Sequence, residues 1–101
     1  GQSFAFVGYL PIESGDRLNT IKKLEHRASS EHQSQIFIET PYRNMKMMET
    51  LLQTLQPNTL LCVACDVTLE TEYIVTKTVG EWKKMTLPDL NKRPSIFIIY
   101  K

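Results

Sequence analysis

Ile36-Phe37-Ile38-Glu39-Thr40-Pro41-Tyr42-Arg43-Asn44 joins an unbroken apolar run to a glutamate, a Thr-Pro turn and the arginine that opens a helical pattern. The run predicts a buried strand over 35–39 that stops at a polar edge. Its apolarity is continuous rather than alternating, which predicts a central strand covered on both faces. Beyond it, Met45, Met48, Leu52 and Leu55, with Leu51 beside them, form the inward stripe of a helix running from Tyr42 to about Leu55. Pro57-Asn58 ends that helix, because proline supplies no backbone N–H. In open α/β sheets ligands lie outside the carboxyl ends of strands, so this strand-to-helix junction is the first place to seek a site.

The flanking chain repeats the pattern. Upstream, Ser3-Phe4-Ala5-Phe6-Val7 reads as extended, turned by Gly8-Tyr9-Leu10-Pro11. Ser14-Gly15-Asp16 supplies a helix start with Asp16 as N-cap. Leu18, Ile21, Leu24 and Ala28 then give the buried face of a helix over 16–29, while Arg17, Lys22, Lys23, Glu25 and Arg27 fill the solvated face. Residues 29–34 form a polar connection. Downstream, Leu60 to Cys65 is a second strand apolar on both faces, followed by a polar loop over 66–72. Tyr73 to Val79 reads as a strand, 80–85 as a helical turn, 87–94 as a loop and Ser95 to Tyr100 as a last strand. The order β-α-β-α-β-β-(α)-β predicts an α/β domain with a mixed β-sheet of about five strands flanked by helices.

A chain of 101 residues, 42% hydrophobic, suits one domain over 1–101. A domain of this size buries roughly 60% of the surface of its unfolded chain, enough for a single core. With 12 basic and 11 acidic residues the net charge is +1, which argues against a strongly basic nucleic-acid surface or a polybasic membrane patch. No apolar run approaches the ~20 residues that span a bilayer. Cys62 and Cys65 are spaced C-x-x-C, yet they sit within an apolar strand, where residues three apart point to opposite faces. They read as structural thiols, consistent with a reducing, cytoplasmic setting. Gly1 in place of Met points to a fragment or a processed chain.

Self-contained catalytic patterns are missing: no Gly-rich phosphate loop, no G-x-S-x-G and no H-E-x-x-H occurs. His26 and His32 read as surface residues, and no metal ligand set is offered. Asp66, Glu70 and Glu72 read as a solvated loop. Three strand ends are more suggestive together: Glu39-Thr40-Pro41, Asp66-Val67-Thr68 and Pro94-Ser95. If the last strand runs antiparallel to the other two, all three tips meet at one sheet edge. Backbone groups there, released from the ladder, can bind a flat heterocycle such as adenine.

Three segments in this order resemble a known family. Phe6-Val7-Gly8-Tyr9-Leu10-Pro11 is similar to the F-x-G-F-L-P segment of tetrapyrrole-methylase-like methyltransferases, closest to the branch that methylates a ribose 2′-hydroxyl of small-subunit ribosomal RNA. Ile36 to Arg43 resembles that branch's apolar-Y-E-S-P-H-R motif. Cys65 to Tyr73, with Lys77-Thr78-Val79-Gly80-Glu81-Trp82, looks like its R-E-L-T-K-x-x-E-E and R-G-T-x-x-E-L segments. Tyr42 stands where the motif has histidine, and Cys65-Asp66 where it has Arg-Glu. The resemblance implies the C-terminal domain of a two-domain enzyme that holds S-adenosyl-L-methionine (SAM) between its halves. The N-terminal domain of the same protein would complete the site, so 1–101 alone should lack methyl transfer. Carried over by position, the cofactor contacts are Glu39, Thr40, Pro41, Val67 and Ser95, mainly through backbone atoms, with no catalytic residue and no metal. Arg43 is a substrate-side candidate. The acceptor would be ribosomal RNA or a tetrapyrrole-like small molecule, and a homodimer is expected. Two other readings stand beside this one. The first is a freestanding α/β binding or dimerisation module without cofactor. The second is a small nucleic-acid-binding domain using Arg43, Lys46, Lys92 and Arg93.

Overall fold

The computed structural model describes residues 3–101. Its elements run β1 (Ser3–Tyr9), α1 (Ser14–Ser30), β2 (Gln33–Ile38), a single 3-10 turn (Pro41–Arg43), α2 (Asn44–Thr54), β3 (Leu60–Cys65), β4 (Tyr73–Thr78), α3 (Val79–Lys83) and β5 (Ser95–Tyr100). The five strands form one mixed sheet in the order β1-β2-β5-β3-β4. β1 and β2 are parallel, whereas β5 runs antiparallel to both β2 and β3. Inserting β5 between them makes β2 and β3 point the same way. The carboxyl ends of β1, β2 and β3 and the start of β5 therefore share one edge.

The core lies between the sheet and the helices. Phe37, Leu61, Val63, Phe97 and Ile99 face Ile21, Leu24, Met47, Met48, Leu51 and Trp82, all fully or nearly fully buried. Phe37 and Phe97 are cross-strand partners whose rings stack with centroids 5.7 Å apart. The Trp82 indole N–H donates to the Leu61 carbonyl at 2.8 Å, which ties the short α3 to β3 and satisfies the one polar atom of that side chain. α3 itself is held by a reciprocal cap between Thr78 and Glu81.

The structure corrects several local expectations. Glu13, not Asp16, caps α1: its carboxylate accepts the Gly15 and Asp16 N–H groups at 3.0 and 2.7 Å. Those hydrogen bonds hold the Glu13 carboxyl below its ordinary range. β1 continues through Gly8 and Tyr9 instead of turning there. The register skips a residue between Phe6 and Gly8, a bulge that Gly8 accommodates at φ +84°. Arg17 is not on the solvated face of α1. It shares the buried stripe with Ile21, Leu24 and Ala28, while Leu18 is turned outward.

The largest difference concerns coverage. α1, α2 and α3 all contribute to the same core, on one side of the sheet. Strand alternation puts Phe4 and Phe6 of β1, Ile36 and Ile38 of β2, Ile96 and Ile98 of β5, Cys62 and Ala64 of β3 and Ile74 of β4 on the other side. Among the described residues no helix covers that outer face, and Phe6 is 70% and Ile74 54% exposed. The continuous apolarity of β2 thus reflects an inner face buried within the domain and an outer face left apolar. Cys62 and Cys65 point to opposite faces as expected, and both are free and buried. Among the described residues no helix is long and apolar enough to cross a membrane.

Candidate functional site

The strand tips converge. A cavity of about 360 Å³ at the shared edge is lined by Tyr9, Ile38, Glu39, Pro41, Ala64, Val67, Pro94, Ser95 and Ile96. Its volume falls within the ~300–1,000 Å³ range of small-molecule sites. Four of the positions singled out from sequence, Glu39, Pro41, Val67 and Ser95, are brought together there. Thr40 is not in the lining, and Arg43 lies on a different groove. Ile38, Ala64 and Ile96 belong to the outer face, so the cavity opens on the uncovered side of the sheet.

Each tip is clamped from the helix side. Glu39 follows Phe37 on the inner face and is 7% exposed. Its Oε2 accepts the Arg17 Nη2–H at 2.5 Å, and its Oε1 accepts its neighbour Thr40's N–H at 2.7 Å. Arg17 Nε in turn donates to the Pro11 carbonyl at 2.8 Å, joining the segment after β1 to the tip of β2. The ion pair is buried and hydrogen-bonded beyond itself, the condition under which such a pair is tolerated.

The second tip is held by Asp66, which accepts from Arg93 Nε at 2.7 Å and from the Thr71 hydroxyl at 2.8 Å. Arg93 spends its remaining donors on the Asp89 and Thr71 carbonyls, and the Asp66 N–H reaches the Pro94 carbonyl. Asp66 is therefore not a solvated loop carboxylate but the anchor of the β3–β4 loop against the start of β5. Glu70 and Glu72 of the same loop remain exposed. The chain departs from β3 with Asp66 at φ 51° and Thr68 at φ 75°. Positive φ is uncommon for a β-branched residue, and the geometry is sustained here by Glu72, whose carboxylate accepts the Thr68 N–H at 2.9 Å.

The third tip is fixed by Asn44, buried at the start of α2. Its amide donates to the Leu90 and Arg93 carbonyls and to Ser95 Oγ. The Ser95 hydroxyl is also turned inward, donating to the Arg93 carbonyl. The side chains of Glu39 and Ser95 are thus both committed to the scaffold. What is left at these positions for the cavity is backbone: Glu39 follows the last β2–β5 pair, Ile38–Ile96, and Ser95 closes the β3–β5 ladder opposite Cys65. Apolar walls beside unpaired backbone edges suit a flat heterocycle with donor and acceptor atoms on its rim. Such an arrangement can bind and orient a ligand, with the Glu39 carboxylate and the Ser95 hydroxyl already engaged in the scaffold. Among the described residues no group of three or more His, Cys, Asp or Glu side chains is placed to hold a metal ion.

Sequence reasoning missed Arg17, Asn44 and Tyr9. The first two leave a trace: Arg17 is spaced four residues from Ile21 on the buried stripe, and a glutamate ending an apolar strand requires a cation. Tyr9 sits within the Phe6–Pro11 segment already singled out.

The hydrogen bond from Arg93, and next that from Thr71, hold the Asp66 carboxyl below its ordinary range. A folded-state value below the unfolded one, about 3.9 for aspartate, contributes stability that is present above that pH and lost as pH falls through the folded value. The stability contributed by Asp66 is therefore expected to fade as pH falls below about 4. Asp66→Asn should lower the melting temperature at pH 7 and converge with the parent at the acid limit. Parallel curves across that range would refute the linkage.

No protein-family model matches the sequence, and no curated protein does. Solved structures do match. The methyltransferase CobJ superposes with a TM-score of 0.55 at 16% identity, over 98% of this chain and 41% of that one. The native form of uroporphyrin III C-methyl transferase from Thermus thermophilus gives a TM-score of 0.51 at 15% identity, over 98% and 40%. At these identities the likeness is one of fold: the chain has the mixed-sheet α/β architecture found within tetrapyrrole methyltransferases. It spans about two-fifths of the length of the solved proteins it resembles.

Proposed function

We propose that this domain is the C-terminal half of a SAM-dependent methyltransferase and supplies the adenine-side wall of its cofactor cleft. The observation that carries this reading is the cavity where Glu39, Val67 and Ser95 meet at one sheet edge. The motif resemblances and the fold shared with CobJ point the same way. SAM, when bound, supplies an activated methyl group on a sulfonium. The residues of this chain would grip the adenosine through the backbone at Glu39, Val67 and Ser95, with Pro41 closing one side, while Thr40, whose N–H and carbonyl are taken by the Glu39 carboxylate and the Arg43 N–H, holds the turn. Catalysis in the whole enzyme would rest on positioning the methyl group in line with the acceptor. The acceptor is ribosomal RNA or a tetrapyrrole-like small molecule.

The uncovered apolar face supports the partner assignment. Exposed contiguous apolar surface of this kind marks an interaction site. We assign it to the N-terminal domain of the same protein, with homodimer contacts at its margin, in a cytoplasmic enzyme. The alternative, a freestanding binding or dimerisation module, uses the same face without the cavity. Calorimetry separates the two. A protein carrying the proposed N-terminal domain is expected to bind SAM measurably, and residues 1–101 alone weakly or not at all. Tight binding by 1–101 alone would contradict a divided site, and no binding by the longer protein would favour the cofactor-free module.

A further inference from the structure

We propose that Tyr9 is a ligand-contacting residue of the strand-tip cavity, its ring packing on the ribose of an adenosine whose base lies at the β3–β5 end. The inference rests on the methyltransferase reading above and extends it from the base to the sugar.

The direction in which Tyr9 points is set by the bulge in β1. Ala5 and Val7 lie on the helix side of the sheet, and Val7 packs against the core. Regular alternation from them would put residue 9 on that side too. The register instead skips a residue between Phe6 and Gly8, which brings Tyr9 level with Ile38 and onto the outer face. Gly8 permits this at φ +84°. Bulges recur beside binding sites, where they re-aim a side chain. Here the side chain re-aimed is the one aromatic group in the cavity lining.

That ring is not spent on the fold. Tyr9 is 64% exposed and lies outside the core cluster. Among the described residues the stacked ring pair is Phe37–Phe97, so Tyr9 has no aromatic partner within the chain.

Its place in the sheet selects the part of the ligand it meets. Tyr9 pairs with Ile38, Ile38 with Ile96 and Ile96 with Ala64, so these four side chains form one row across β1, β2, β5 and β3. Neighbouring strands lie about 4.8 Å apart, which puts Tyr9 and Ala64 at the two ends of a row roughly 14 Å long. The tips at Glu39, Val67 and Ser95 border that row at β2, β3 and β5, and none of them is on β1. A base with donors and acceptors on its rim therefore belongs at the Ala64 end, and the β1 end receives what is attached to the base. A ribose presents a face of C–H groups, which an exposed phenol ring can bury.

The test uses the protein including its proposed N-terminal domain, with S-adenosylhomocysteine as the probe. Nuclear Overhauser contacts are recorded on protein deuterated except at its four tyrosines, and the Tyr9 signals are those that vanish in Tyr9→Ala. Contacts from the Tyr9 ring to the ribose protons are expected. By calorimetry Tyr9→Ala should weaken binding about tenfold, the effect of exposing one face of a ring, with an unchanged melting temperature because the position is an exposed strand end. Tyr9→Phe, which keeps the ring, should stay within about threefold of the parent. A parent that binds the probe without a Tyr9–ribose contact, or with contacts only to the adenine protons, overturns this inference and leaves the cofactor site standing. So does a Tyr9→Ala variant that binds as tightly as the parent. A parent that binds no S-adenosylhomocysteine overturns the methyltransferase reading, and this inference with it.

Discussion

Arg17→Met is expected to destabilise the fold by about 3–5 kcal/mol, the usual cost of leaving one member of a buried ion pair without its partner. The variant keeps the length and much of the volume of the side chain, so lost packing is a minor part of the effect. What remains is Glu39, nearly buried and holding only the Thr40 N–H. The double replacement Arg17→Met/Glu39→Leu removes both charges and should recover most of the loss, since well-packed apolar pairs often match buried ionic ones. Urea unfolding of the two variants measures this directly. A single variant within about 0.5 kcal/mol of the parent would mean that the pair is solvent-screened and does not anchor the β2 tip.

Ala64→Trp should abolish cofactor binding by the longer protein while leaving the domain folded. Ala64 is on the outer face of β3, opposite Ile96 on one side and Ile74 on the other, and its methyl group is part of the cavity lining. An indole there would fill the space assigned above to the adenine, so on that proposal SAM affinity should fall by at least about a hundredfold, some 2.7 kcal/mol. Ala64 is itself only 8% exposed between its strand neighbours, but no helix covers that face, so the larger side chain projects away from the core and the melting temperature of 1–101 should change little. Unchanged affinity would remove the cavity from the account.

These two expectations rest on features of very different visibility in the sequence. The strand–turn–helix at 36–44 was legible because apolar continuity, a glutamate and a Thr-Pro turn all agree there, and the opposed cysteines followed from strand periodicity alone. The order of all the elements and the mixed sheet were legible for the same reason. Convergence of the tips needed one assumption, that the last strand is antiparallel to its neighbours, and the sheet has that arrangement. The clamps were not legible. Arg17 and Glu39 are 22 residues apart and Asp66 and Arg93 27, so nothing local joins them. Arg17 looked like one more cation on a charged helix face because Leu18 offered a plausible apolar residue next to it. The bulge at Gly8 was hidden because a Gly-Tyr-Leu-Pro segment reads equally as a turn. Coverage of the sheet was misjudged at β2 because an apolar outer face looks the same in sequence whether its own domain or another one covers it.

Together the clamps explain how Glu39 and Ser95, whose side chains are committed to the scaffold, can still frame a cavity with Val67. The carboxylate of Glu39 and the hydroxyl of Ser95 hold the tips in place from the inside, and the ligand would meet the backbone they position. The most direct test is a crystal structure of the protein, including its proposed N-terminal domain, with S-adenosylhomocysteine. The adenine is predicted to lie against Ala64 and Ile96, hydrogen-bonded to backbone atoms at Glu39, Val67 or Ser95. An adenosine bound elsewhere, with none of these three positions in contact with it, would contradict the account.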